Sequence, residues 1–201
     1  MNKNRSMAKT NWARVYNAYF QEMVVKGLTA MALNTIGEDA GFAKVASIVE
    51  RGAMIGFGIL LEELSKAGVK PEKLDLKGLL EYEVKCHSFA AKEMNVGLQV
   101  FEEYRHEGEN RHVLYTKNCI YKDIVRENPL VCAVCVGLVS GILKRFGLKV
   151  QWTKNVENVE RAKLLCHKRE EERPEYIVYR DASVKLPECK LVIEKLVCEQ
   201  Q

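Results

Sequence analysis

Asn128-Pro129-Leu130-Val131-Cys132-Ala133-Val134-Cys135-Val136-Gly137-Leu138-Val139-Ser140-Gly141-Ile142-Leu143-Lys144-Arg145-Phe146-Gly147 is the longest nearly uninterrupted apolar run in the chain, and it has a clear start and stop. Asn128 can cap a helix, and Pro129 stands at the first helical position, where a missing N–H costs nothing. Lys144 and Arg145 fall in the last turn, where positive charge suits the dipole, and Gly147 supplies a left-handed terminator. Between these ends the residues are apolar on every face, which predicts a helix buried on most sides. Ala133, Gly137 and Gly141 recur at every fourth position and form a stripe with almost no side chain. Another helix, a sheet or a ligand must pack close to that stripe.

Two helical regions precede it. Val15, Tyr19, Met23, Leu28, Met31 and Ala32 repeat at helical spacing from Trp12 until Gly37 closes the pattern. Glu38 and Asp39 favour a new start, and Phe42, Val45, Ala46, Val49, Phe57, Leu61 and Leu64 carry the pattern on, with a break allowed near Gly52. Gly52, Gly56 and Gly58 each cost roughly 1 kcal/mol in a helix against alanine, so close helix contact or a ligand groove must repay them. From residue 80 the period shifts towards two, and 80–89 reads as a strand. Residues 90–101 fit a short helix lying across the sheet, and 111–121 read as a second strand. Residues 148–152 read as a strand returning after the buried helix, and 161–168 with 176–180 as a final hairpin. This order predicts an α+β fold, helices packed on an antiparallel β-sheet. Residues 1–11 are expected to be a flexible N-terminus, 12–181 a single domain, and 182–201 a C-terminal extension.

The chain has 201 residues, 47% of them hydrophobic and 29% charged, which suits one domain with a proper core. Its net charge of +4 is small and dispersed, and acidic residues interrupt each basic cluster, which argues against a nucleic-acid partner. The first residues lack the apolar core of a secretory signal. No uncharged run reaches the ~20 residues of a membrane helix, so a cytoplasmic location is expected. Seven cysteines, an odd number scattered through the chain, read as free thiols.

No P-loop, dinucleotide-binding glycine motif, nucleophile elbow or HExxH is present. Cys132 and Cys135 have CxxC spacing, but valines surround them, which raises a thiol's pKa; packing is the simpler reading than redox chemistry. Cys166 and His167 would point to opposite faces of a strand, and zinc wants four ligands. Cys119, Cys132 and Cys166 would need the fold to bring them together with a carboxylate. His87, His106 and His112 read as solvated or singly hydrogen-bonded, and Trp12 and Trp152 as core or interface residues.

One group of residues carries a resemblance: a strand ending in a cysteine (Tyr115 to Cys119), Asn128-Pro129 with Cys132 soon after, Gly137 and Gly141 in the helix, and Gly147 with a returning strand. A cysteine, Cys166, then precedes the strand at 176–179. In these the chain resembles the 4-vinyl-reductase-like, or hydrocarbon-binding, domain family of the TRAPP-like ligand-binding superfamily. The resemblance implies a homodimer holding a hydrophobic small molecule in an interior cavity. It also implies a zinc site in some members; Cys132 matches its first ligand and Cys166 the next. The later cysteine has no counterpart here, because 169–175 occupies its turn, so the zinc set is incomplete. On this reading Phe57, Leu61, Tyr115, Cys119, Cys135 and Trp152 are the candidate ligand-binding residues, and no catalytic residue is assigned. A cysteine-dependent hydrolase or reductase acting through Cys119 or Cys166 is the alternative, and a structural adaptor subunit a second.

Overall fold

The computed structural model describes residues 12–66, 74–93, 99–155 and 173–197. Within them the chain is an α+β protein whose helices pack on a five-stranded sheet. It opens with one helical rod: α1 (Trp12–Phe20), a π-helical segment (Gln21–Leu28) and α2 (Thr29–Ile36). Gly37 ends the rod at φ +77°, and its N–H donates to the Leu33 carbonyl. α3 (Glu38–Lys66) then runs without the break anticipated at Gly52. α4 (Leu76–Glu93) follows, then β1 (Glu103–His106), β2 (Arg111–Thr116) and α5 (Lys122–Glu127). α6 (Val131–Arg145), β3 (Val150–Trp152), β4 (Tyr176–Arg180) and β5 (Cys189–Lys195) complete it.

The sheet order is β1-β2-β5-β4-β3. Its four-strand core is antiparallel, but the edge strand β3 runs parallel to β4, so the sheet is mixed rather than purely antiparallel. Two further expectations are corrected. Residues 80–89 are helix, not strand: Leu79, Leu80, Glu83 and Ala91 are the buried positions, a helical period. The expected C-terminal extension contains the central strand, β5, which pairs with β2 on one side and β4 on the other. The proposed first arm of a hairpin at 161–168, with Cys166 in it, lies outside the described residues, as do 1–11.

α6 sits at the centre, packed on α3 on one side and on β3 and β4 on the other. Val131, Ala133, Val136 and Leu143 are fully buried. The small-residue stripe faces α3: a Cβ on Gly137 would drive into the Ala46 carbonyl, and one on Gly141 into the Glu50 carbonyl. The stripe is thus filled by backbone of α3 and leaves no room for a ligand. Beside it the Glu50 carboxylate accepts from Ser140 Oγ at 2.6 Å and Lys144 Nζ at 2.7 Å. The helix has Leu130 at its N-cap, with no side-chain cap there, and Asn128 acts earlier than expected, in the turn before it: Asn128 Oδ1 accepts the Leu130 N–H at 3.1 Å. Gly147 at φ +82° turns the chain into β3. Leu114, Val178, Leu191 and Ile193 line the sheet face towards α6, while Val113, Tyr115, Ile177, Tyr179 and Val192 make a second cluster on the opposite face. Among the described residues no helix is long and apolar enough to cross a membrane.

Candidate functional site

Strand register brings the site together. Cys189 opens β5 opposite Thr116, the last residue of β2, and Arg180 ends β4 opposite Leu191. By the two-residue alternation of strands, Thr116, Arg180 and Cys189 share the face that looks towards α6. Cys119 follows β2 on a loop, held by its N–H donating to the Pro187 carbonyl at 2.7 Å. Cys132 and Cys135 lie three positions apart on one side of α6 and close the space from above. The result is an internal cavity of about 30 Å³ walled by four thiols, Thr116, Arg180 and apolar side chains such as Phe101 and Leu191.

The four thiols are not equivalent. Cys189 donates a hydrogen bond to Cys119, which pulls Cys119 down to about 7; the Tyr121 N–H and the charges of Arg180 and Lys122 assist against burial. Cys189, as the donor of that pair, is pushed upward, and burial adds to the effect. Burial raises Cys132 to about 11 and Cys135 further still. The Arg180 guanidinium hydrogen-bonds Cys189, with Cys132 and Cys119 nearby. Its Nη2 also donates to the Val184 carbonyl at 3.2 Å. Arg180 Nε and Thr116 Oγ1 are buried without a partner, which is costly unless something polar occupies the cavity.

A second space adjoins this one. A cleft of about 600 Å³ runs between α1, the π-helical segment, α4 and α6, and shares Val100, Ile120, Tyr121 and Cys135 with the thiol cavity. Its walls are mainly apolar, with Phe20, Ala91, Val134 and Leu138 among them, and a few polar groups converge there. Gln21 Nε2, at the first π-helical residue, donates to the Tyr121 hydroxyl at 3.2 Å. His87 shares a 3.0 Å hydrogen bond with the buried Glu83 and stands edge-on to Phe101. A π-helical turn shifts the side-chain register and is common beside functional sites.

Of the residues singled out from sequence that the structure describes, Cys119, Cys132 and Cys135 come together here, and Phe57, Leu61, Tyr115 and Trp152 do not. Phe57 packs on Phe146 beneath α3, and Trp152 on Phe42. Tyr115 is on the far sheet face, with the Arg105 guanidinium 3.6 Å above its ring. Leu61 lines a separate space of about 660 Å³ whose walls carry Glu62, Asp75 and Arg145. Cys189, Arg180, Tyr121 and Gln21 were missed, and only residue type marked them. Among the described residues no group of three or more His, Cys, Asp or Glu side chains is set to hold a metal ion. A guanidinium against the thiols also disfavours a zinc dication there; Cys166, the partner expected for Cys132 in a zinc site, lies outside the described residues. Neither a family model nor a curated protein matches the chain.

Proposed function

We propose that this protein binds an apolar small molecule in the cleft between α1, α4 and α6. The cleft carries the reading: about 600 Å³ falls within the roughly 300–1,000 Å³ of small-molecule sites, and its apolar wall bears a few convergent polar groups. This places the ligand beside α6 rather than in its glycine stripe. The resemblance to the hydrocarbon-binding family supports the same reading. Thermal shift and intrinsic fluorescence with alkylphenols and naphthalene as probes test it. Ala90→Trp, which fills the cleft from a half-buried position on α4, is expected to weaken binding at least about tenfold without loss of the fold. Binding unaffected by that change, or no probe bound, sinks the proposal.

The lowered pKa of Cys119 favours the thiol-enzyme alternative as a second reading. For a hydrolase the cavity lacks a base, since no histidine or carboxylate is among its described lining residues.

A homodimer belongs to the first reading. The outward face of α3 exposes Ile48 (44%), Ile55 (63%) and Ile59 (58%), with Gly52 between them at coiled-coil spacing. Lys44 and Glu62, both exposed, flank this stripe. In an antiparallel pair centred between Gly52 and Ile55, Lys44 of one copy approaches Glu62 of the other, and the exchange occurs twice by symmetry.

A further inference from the structure

We propose that Cys119 and Cys189 form a dithiol site that reduces hydrogen peroxide and closes to a disulfide, with Arg180 and Thr116 holding the oxidant between them. This goes beyond ligand binding and does not depend on the neighbouring cleft being occupied.

Three observations converge on it. The Cys119 N–H bonds the Pro187 carbonyl, two residues before Cys189, and both thiols line one cavity, although 70 positions of chain separate residue 119 from residue 189. The cavity beside them holds about 30 Å³, room for one or two water-sized molecules and too little for an alkyl hydroperoxide. Thr116 and Arg180 line this space, and Thr116 Oγ1 and Arg180 Nε are buried and unpartnered. A small oxygen compound that accepts from a guanidinium and exchanges a hydrogen bond with a hydroxyl meets both needs. Cys132 and Cys135 share the cavity from α6 and form its wall, and burial raises both thiols.

The chemistry balances. The Cys119 thiolate attacks one peroxide oxygen, the O–O bond breaks, and the departing hydroxide takes a proton and leaves as water. Cys119 is oxidised by two electrons to the sulfenic acid, and the peroxide is reduced. The Cys189 sulfur then attacks Cys119 sulfur; the S–O bond breaks, the S–S bond forms, and the hydroxide leaves as a second water with the proton from Cys189. One peroxide and two thiols give one disulfide and two waters. A small dithiol such as dithiothreitol restores the reduced pair by exchange.

The test is oxidation of the folded full chain by one equivalent of hydrogen peroxide, followed by alkylation and peptide mapping. The free-thiol count is expected to fall by two from seven, with Cys119 linked to Cys189. In Cys189→Ser, dimedone should label Cys119, whereas Cys119→Ser should consume peroxide at least about tenfold more slowly and take no label. Cumene hydroperoxide should react at least about tenfold more slowly than hydrogen peroxide, because the cavity excludes it. Thr116→Val keeps the side-chain shape and should slow oxidation several-fold while circular dichroism stays native, which keeps the proposal testable if a cysteine variant fails to fold. A disulfide between any other pair, dimedone on Cys132 or Cys135, or equal rates for Cys119→Ser and wild type would overturn it.

Discussion

At the scale of single residues, two glycines on α6 and one on α3 make opposite predictions. Gly137 and Gly141 lie where α3 backbone leaves no space for a Cβ, while Gly56 has nothing within 4 Å of the position a Cβ would take. Gly141→Ala must push α3 and α6 apart, because the obstacle is the Glu50 carbonyl and the Ala53 methyl rather than a flexible side-chain end. Overpacking of this kind costs about 1–3 kcal/mol. Gly56→Ala relieves the helix of a poor former and should add up to about 1 kcal/mol. Urea unfolding of the two variants measures both signs, and a stable Gly141→Ala would show that the helices separate freely. These glycines look alike in the sequence. The stripe on α6 announced a close contact, but only the position of α3 decides that backbone fills it.

At the scale of elements, the junction before α6 joins three parts of the chain through one side chain. Asn128 is 8% exposed; its Oδ1 accepts the Leu130 N–H, and its Nδ2 donates at 2.8 Å to Thr29 Oγ1. Thr29 Oγ1 in turn donates to the Val25 carbonyl at 2.5 Å. Asn128→Ala removes the side-chain bond of the turn leading into α6 and strands a buried hydroxyl acceptor, for an expected loss of about 1–3 kcal/mol. Because Thr29→Val deletes the other half of the same bond, the double variant should cost less than the sum of the two singles. Strict additivity in denaturant titrations would mean that the bond contributes nothing. The start of α6 was legible to within a few residues because Asn-Pro before an apolar run is a local signal, although the helix begins at Val131 rather than at Pro129. α4 was not legible in the same way. Leu80, Tyr82, Val84 and Cys86 alternate with charged residues, yet Leu79, Leu80, Glu83 and Ala91 are what the fold buries, and tertiary contact with α1 and β1 decides between the two periods. The thiol site divides along the same line. Cys119, Cys132 and Cys135 could be picked by residue type near a recognisable helix. Cys189 and Arg180 join them only because β5 inserts between β2 and β4, a long-range pairing that no short window of sequence contains.

At the scale of the whole molecule, α3 is a long helix with apolar residues on both its buried and its exposed side. Its inner side gives Val45, Ala46 and Val49 to the core, and its outer side carries the row of Ile48, Ile55 and Ile59. Exposed branched aliphatic side chains in a continuous row, about 25 cal/mol per Å² when covered, provide a driving force for a second copy to bury them. In the proposed antiparallel dimer Lys44 would lie near Glu62 of the other chain, so that charge would select the orientation the apolar row alone leaves free. If the proposed dimer forms, Ile55→Glu places a carboxylate from each copy near its two-fold axis, where neither can stay hydrated, and should convert it to monomer in multi-angle light scattering. Because Ile55 is 63% exposed within one chain, the unfolding free energy of the monomer should change by no more than about 0.5 kcal/mol. Charge reversal separates this surface from any other: Lys44→Glu and Glu62→Lys should each weaken the dimer, and the two together should restore it. A wild-type chain that stays monomeric at every concentration, or a dimer indifferent to Ile55→Glu, would remove α3 from the interface. The cleft proposed for the ligand, whose described walls come from α1, α4 and α6 rather than α3, would still be available to a monomer.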